Sequence, residues 1–401
     1  MTKILLSTKL KHTKGFIFLF ILGLAGAWGQ LSMPASANSN NPQNVSSTVS
    51  ENITTKTLFP IVQDSKWGLM DKSGEIVVKP RFDYIGDFNE RLARIVVGNK
   101  FGYIDKTGQI VIKPKFDYAF SFNEGLARIV IGNKFGFINK SGQIVTKQMF
   151  VRAENFSEGL APIKVGYKYG FIGKTGQIVI KPQFGDVKEF NEGLAAIKVN
   201  GKYGYINKSG KIAIKPKFDD ASSFESGLAA IKVGNKYGYI NKSGQVVGKQ
   251  MFESTGYFNE GLRAIRIAYK WGYVNNSGQI VIKPQFSDVY FFNEGLARIK
   301  VNGVYGFINK LGQVVITPQF GNVREFHEGL ARIQVGDKYG YINKLGQVAI
   351  TPQFEDAWDF SGGLAAIQID GKWGYIDKLG QIVGKPMFDQ PYGSSYSEPP
   401  R

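Results

Sequence analysis

From Leu58 onward, apolar and polar residues alternate in short runs separated by turn residues, and the pattern recurs. Residues 194–227 read LAAIKVNGKYGYINKSGKIAIKPKFDDASSFESG. Alternation with a period of two predicts strands at Leu194 to Val199, Tyr203 to Ile206 and Ile212 to Phe218. Asn200-Gly201 is a two-residue hairpin signal, and Asn207-Lys208-Ser209-Gly210 fits a short loop whose glycine takes a positive φ. Pro216 stands near the end of the third strand, where its missing N–H does little harm. In the connector that follows, Ala221 and Phe224 are three apart, the spacing of a single helical turn.

Both faces of such a meander are partly apolar. Ala195, Ile197 and Val199 point one way and Leu194 the other, so each sheet needs neighbours on both sides at about 10 Å. Those neighbours are supplied by repetition. An aromatic followed by glycine recurs ten times, from Trp67-Gly68 to Trp373-Gly374, always at a spacing of 34 residues. A fixed period of this size marks a solenoid, propeller or array. The fold expected is all-β: a tandem array of three-stranded antiparallel units stacked face to face over residues 58–397, the last unit incomplete in its connector. Ten units exceed the four to eight blades usual in propellers, which favours an open superhelix or solenoid over a closed propeller-like toroid.

The recurring K-[WYF]-G-[YF]-I-[DN]-K-x-G-Q-[IV]-[VA]-I-K-P-x-F, followed by F-x-E-G-L-A, resembles the WG (KWG) β-repeat family of bacterial, often exported proteins. The resemblance covers residues 58 to about 389. It implies an all-β repeat domain, and it carries over no catalytic residue.

The remaining segments read differently. Lys3, Lys9, Lys11 and Lys14 precede an apolar run from Phe16 to Ala27, and Pro34-Ala35-Ser36-Ala37 ends in a small-x-small cleavage pattern, so residues 1–37 read as a signal peptide. This predicts export to the periplasm, cell surface or medium, with no transmembrane helix after cleavage. Residues 38–57 form an Asn/Ser/Thr-rich leader too polar to order itself, and 398–401 a short tail.

Composition narrows the chemistry. With no cysteine, and with His12 and His327 the only histidines, thiol nucleophiles, disulfides and Cys/His zinc sites are excluded. The [DN]-K-x-G turns lack the oxygen ligands of a calcium loop, and no phosphate-binding glycine motif occurs. No catalytic, metal or cofactor site is expected. The phenylalanines of the columns Phe82 to Phe388 and Phe88 to Phe360 read as rings stacked between sheets. The glycine after each aromatic admits a close approach, expected from a neighbouring unit's rings. The glutamates before Gly-Leu, such as Glu124 and Glu158, read as turn or charge-pairing residues.

The chain carries 50 Lys plus Arg against 32 Asp plus Glu, a net +18. Three lysine ladders hold much of this excess: Lys66 to Lys372, Lys72 to Lys378 and Lys79 to Lys385. Function in repeat proteins is best sought where units leave the template. Lys164, Lys198, Lys232, Arg266 and Lys300 occupy one strand position in five consecutive central units. The connector varies freely at Phe120, Lys188, Tyr290, Phe291, Arg324 and Trp358. Together these form the candidate binding surface. It points to a non-enzymatic binding or scaffold protein for an anionic polymer or an acidic protein partner, with nucleic acid disfavoured by export. The alternative is a rigid spacer or assembly module whose charge serves solubility. Gln148 and Gln250 replace the strand proline in two units, which predicts no more than local loosening.

Overall fold

The computed structural model describes residues 57–389; the expected signal peptide, nearly all of the polar leader and the short tail lie outside the described residues. The first sheet contains β1 (Leu58–Gln63), β2 (Lys66–Asp71) and β3 (Ile76–Phe82) in antiparallel order. The second begins with β4 (Tyr84–Asn89) and continues through β5 (Leu92–Val97), β6 (Lys100–Ile104) and β7 (Ile110–Phe116). This four-stranded unit recurs with the sequence period, except in the third sheet, where isolated bridges replace the fourth strand, giving ten small sheets and, among the described residues, no helix. We number the sheets as blades 1 to 10.

The connector is therefore a strand, not a helical turn. Tyr84 and Ile85 pair with Val96 and Ile95, then Phe88 pairs with Ala93, so one extra residue is accommodated by a bulge. A bulge places residues three apart on the same side of a sheet, which mimics helical spacing in a linear reading. In blade 6 the paired stretch shortens to Asp220–Ala221 and the rest of the connector reaches Leu228 through an isolated bridge from Glu225.

Blades pack through rings, as the alternation requires. At most junctions the aromatic two residues after the repeated ring meets a phenylalanine of the next blade: Tyr205 and Phe224 lie 4.8 Å apart, Phe307 and Phe326 4.8 Å, Tyr341 and Phe360 4.9 Å. The repeated glycine does admit a close approach, but by its own blade. A Cβ at Gly68 would lie 2.4 Å from the Val78 carbonyl oxygen and 2.7 Å from the Pro80 nitrogen, where the third strand bulges inward. This also accounts for the glutamines. Where Gln148 and Gln250 replace proline, Met149 and Met251 set their sulfurs 2.5 Å from the Cβ sites of Gly136 and Gly238, taking the place of the bulged backbone.

The array closes, contrary to the open solenoid expected. Asp389 N–H donates to the Val62 carbonyl at 3.0 Å, the bond that Asp83 makes to Val96 and Asp117 to Val130 between other consecutive blades. Phe59, Ile61 and Met70 of blade 1 share one core with Leu364, Trp373, Tyr375 and Phe388 of blade 10. Tyr375 donates to the Pro60 carbonyl at 2.8 Å. The chain is a closed ten-blade β-propeller. The physical reason is in the end units: an open array needs polar outer faces on its first and last repeats. Here those faces are apolar, and closing the ring buries each against the other.

Candidate functional site

One lysine ladder is largely consumed between blades, and a second in part. Each Glu-Gly turn places glutamate at φ near +50°, as at Glu124 (φ 53), a conformation that costs a non-glycine residue free energy. The carboxylate offsets that cost by reaching into the next blade. Glu124 Oε2 accepts from the Gly159 N–H at 2.9 Å and from Lys174 Nζ at 3.0 Å. The same contacts join Glu158 to Gly193 and Lys208, Glu192 to Gly227 and Lys242, and Glu294 to Gly329 and Lys344. Burial works against ionisation of Glu124, but its hydrogen bonds from Lys174 and Gly159 outweigh this and hold the carboxyl below its usual value. In the ladder beside the aromatic, Lys66, Lys100 and Lys372 lie 2.5, 2.6 and 2.7 Å from Asp83, Asp117 and Asp389, and Lys202 pairs likewise with Asp219. The third ladder differs. Lys79, Lys113, Lys147, Lys181, Lys215 and Lys283 are exposed and have no ion pair among the described residues.

The five central cations occupy one column on blades 4 to 8, each over the ring of the strand beside it. Lys164, Lys198 and Lys300 lie 5.0 Å from the Tyr169, Tyr203 and Tyr305 centroids, Lys232 5.4 Å from Tyr237 and Arg266 5.6 Å from Trp271. Across the register from them stand Arg152, Asp186, Asp220, Ser254 and Asp288. The variable connector residues do not form one surface. Phe120 is buried under the Arg128 guanidinium, and Tyr290 packs 3.7 Å from that of Arg298. Trp358 meets Trp373 edge-on at 6.4 Å. Phe291 and Arg324 are exposed, and Lys188 lies 3.7 Å from Asp220.

The structure brings Lys188 and Lys232 together at the junction of blades 6 and 7. There they line a cavity of about 300 Å³ with Asp220, Ser222, Tyr237, Thr255, Gly256 and Arg263. Small residues create the space: Ser222 and Gly256 stand where Phe120, Tyr290 and Trp358 fill other blades. Arg263 is 6% exposed at a position held by alanine in blades 2 to 6 and 8 to 10. Its guanidinium lies 5.1 Å from the Tyr239 ring and 5.5 Å from Phe258, parting two rings that touch directly at other junctions. The carboxylate beside it is Glu225, 3.6 Å from Nη2, and burial draws the Arg263 guanidinium below its usual pKa.

A family model described as "WG containing repeat" matches ten consecutive segments from 67–101 to 373–390. The chain belongs to the WG repeat family. Comparison with the curated proteins finds no match. Among solved structures, "Crystal structure of the eukaryotic initiation factor" has a TM-score of 0.53 at 12% identity, covering 84% of this chain and 97% of that one, and this likeness shows the fold alone. BamB from Moraxella catarrhalis gives 0.33 at 9% identity over 73% and 92% of the two chains. Hsv2p of Kluyveromyces lactis gives 0.34 at 11% over 56% and 92%.

Against the WG template, further departures become visible. Tyr167 and Tyr269 replace small turn residues at the hairpin tips of blades 4 and 7 and are 91% and 82% exposed. Leu311, Leu345 and Leu379 replace Ser or Thr in the second turn of blades 8 to 10, with 77%, 73% and 79% exposure. Arg263, the two tyrosines and the three leucines had escaped the sequence reading, although each breaks its column. His327 sits 3.8 Å from Asp359 of the next blade, a partly exposed pair. Among the described residues no helix is long and apolar enough to cross a membrane, and no group of three or more His, Asp or Glu is placed to hold a metal.

Proposed function

We propose that this WG-repeat propeller is an exported, non-enzymatic binding or scaffold protein that presents a local basic surface on blades 4 to 8 to an anionic envelope polymer or an acidic protein partner. The observation that carries the reading is the column Lys164, Lys198, Lys232, Arg266 and Lys300. Each cation is supported by a ring, and exposed Tyr167 and Tyr269 stand on blades 4 and 7, within the same five blades. Most of the second-turn ladder and four lysines of the ladder beside the aromatic are ion-paired, which leaves Lys164, Lys198, Lys232 and Lys300 among the cations that have no salt bridge among the described residues. Export rests on the sequence of residues 1–37.

The test is retention of the mature protein on anionic and neutral envelope polymers across a salt gradient. Selective retention beyond about 0.15 M salt, abolished when the five cations are changed to glutamate, is the expected result. Retention unaffected by that change would sink the reading. A second reading, an assembly module, is favoured by Leu311, Leu345 and Leu379, three exposed apolar residues at one position of successive blades, since exposed apolar groups mark contact surfaces. Changing the three to serine would then abolish self-association or partner capture while leaving polymer retention intact.

A further inference from the structure

We infer that the cavity between blades 6 and 7 binds one acidic sugar unit, a compact oxyanion on a polyhydroxylated body. Arg263 is its buried partner, and Lys188 and Lys232 are its flanking cations. The inference deepens the polymer-binding reading, since such a unit is a component of an anionic glycan.

Several departures meet at this one junction. Ser222 and Gly256 leave about 300 Å³ open, too small for a folded partner and adequate for a monosaccharide. The charged lining is Lys188, Lys232 and Arg263 against Asp220, a net positive site. Arg263 replaces a fully buried alanine column, and a guanidinium that is 6% exposed with a single carboxylate at 3.6 Å is under-compensated. An incoming carboxylate or phosphate would supply the hydrogen-bond acceptors that Glu225, at 3.6 Å, does not bring to the planar guanidinium fork. Asp220 argues against a bare inorganic anion. A carboxylate beside three cations suits a ligand that donates hydroxyl protons as well as carrying charge. Tyr237, bearing Lys232 on its ring, offers the flat wall against which a sugar ring stacks.

The experiment is calorimetric titration of the protein with glucuronate, glycerol 3-phosphate and glucose. Two variants borrow residues from sister blades: Arg263→Ala, the residue of eight other blades, and Lys232→Gln, the residue of blades 9 and 10 at Gln334 and Gln368. Lys79→Thr on blade 1, the residue of blades 8 and 9 at Thr317 and Thr351, is the control. Saturable glucuronate binding with Kd at or below about 1 mM, weakened at least about ten-fold by Arg263→Ala and several-fold by Lys232→Gln but not by Lys79→Thr, is the expected result. Equal binding of glucose, or no saturable binding of glucuronate, overturns the inference. Binding of glycerol 3-phosphate without glucuronate overturns the sugar assignment and makes the occupant a phosphate. Should Arg263→Ala lower the melting temperature, Lys232→Gln decides, because its side chain is partly exposed and glutamine already stands at that position in two blades. Polymer retention measured on the same variants separates the two readings: monosaccharide binding without polymer retention removes the wider surface and leaves the cavity standing.

Discussion

The junction between blades 8 and 9 and that between blades 6 and 7 are built from the same 34-residue template and are held together differently. At the former, Phe307 and Phe326 touch at 4.8 Å, Glu294 receives Gly329 and Lys344, and the Ile316 methyl lies 3.0 Å from the Cβ site of Gly346. At the latter, Arg263 parts Tyr239 from Phe258, and Gly248 stands where Ile316 stands. Ser226 and Asn276 occupy the places of the glutamate and lysine, so both members of the ion pair are missing together. The regular junction uses every template position for adhesion. The irregular one has given up several of them, and the only consistent gain is a polar cavity.

The largest test of this contrast acts inside the blades. Gly306→Ala would drive a Cβ to 2.5 Å from both the Ile316 carbonyl oxygen and the Pro318 nitrogen, neither of which can move without breaking the bulge. A loss of about 4 kcal/mol or failure to fold is expected. At the same template position in blade 6, Gly238→Ala meets the Met251 sulfur at 2.5 Å, the mobile end of a flexible side chain. A loss of about 1–2 kcal/mol is expected there. Denaturation midpoints that fell equally would show that methionine does not replace the proline bulge in the way proposed.

Much of this was legible in the sequence, and what was not has identifiable causes. The hairpin at Asn200-Gly201 forms as read, with φ of 49° and 81°, because its chemistry is local. The phenylalanine columns and the pairing of Glu124 or Glu158 were readable because ten copies average out the noise of any one. The connector strand was missed because a bulge makes Ala221 and Phe224 look helical. Closure was missed because blade number was taken as the criterion, although apolar Phe59, Ile61 and Met70 on the first repeat already argued against a free end. Arg263 was visible as the one arginine in an alanine column. Its burial depends on a neighbouring blade, and no linear pattern reports that.

An intermediate effect comes from restoring the missing ion pair. Ser226 already holds φ 52°, the backbone conformation of Glu192 and Glu294, so Ser226→Glu adds no new strain. Paired with Asn276→Lys it should stabilise the protein by about 0.5–1 kcal/mol, with each single change worth less. The reverse change at the regular junction, Glu294→Ala, should cost about 1–2 kcal/mol because it strips the Gly329 N–H and Lys344 at once. A double-mutant cycle with no coupling at 226 and 276 would mean that the blades there are set too far apart for the template contact. The loss of the pair would then be a consequence of the cavity rather than an independent drift.

The smallest effect is a difference in pH dependence. For Glu294, burial favours the protonated form, but hydrogen bonds from Lys344 and Gly329 prevail and hold the folded pKa below the usual 4.5. The unfolded state thus binds a proton first as pH falls, so this stabilisation is complete above about 4.5 and is lost as pH drops through the lower folded value. Glu294→Gln should therefore track the parent most closely in acid and fall furthest behind it near neutrality. On the alkaline side the sign reverses. Burial pushes the Tyr239 hydroxyl up to about 12, so the unfolded chain ionises first, and stability declines as pH rises above 10.0. Because the Arg263 charge works against that rise, Arg263→Ala should steepen the alkaline limb, whereas Arg298→Ala, in the blade beyond, should leave the contribution of Tyr239 unchanged. Melting curves between pH 9 and 12 on the two variants therefore report, in about a few tenths of a kcal/mol, whether the buried guanidinium is charged where it parts the rings.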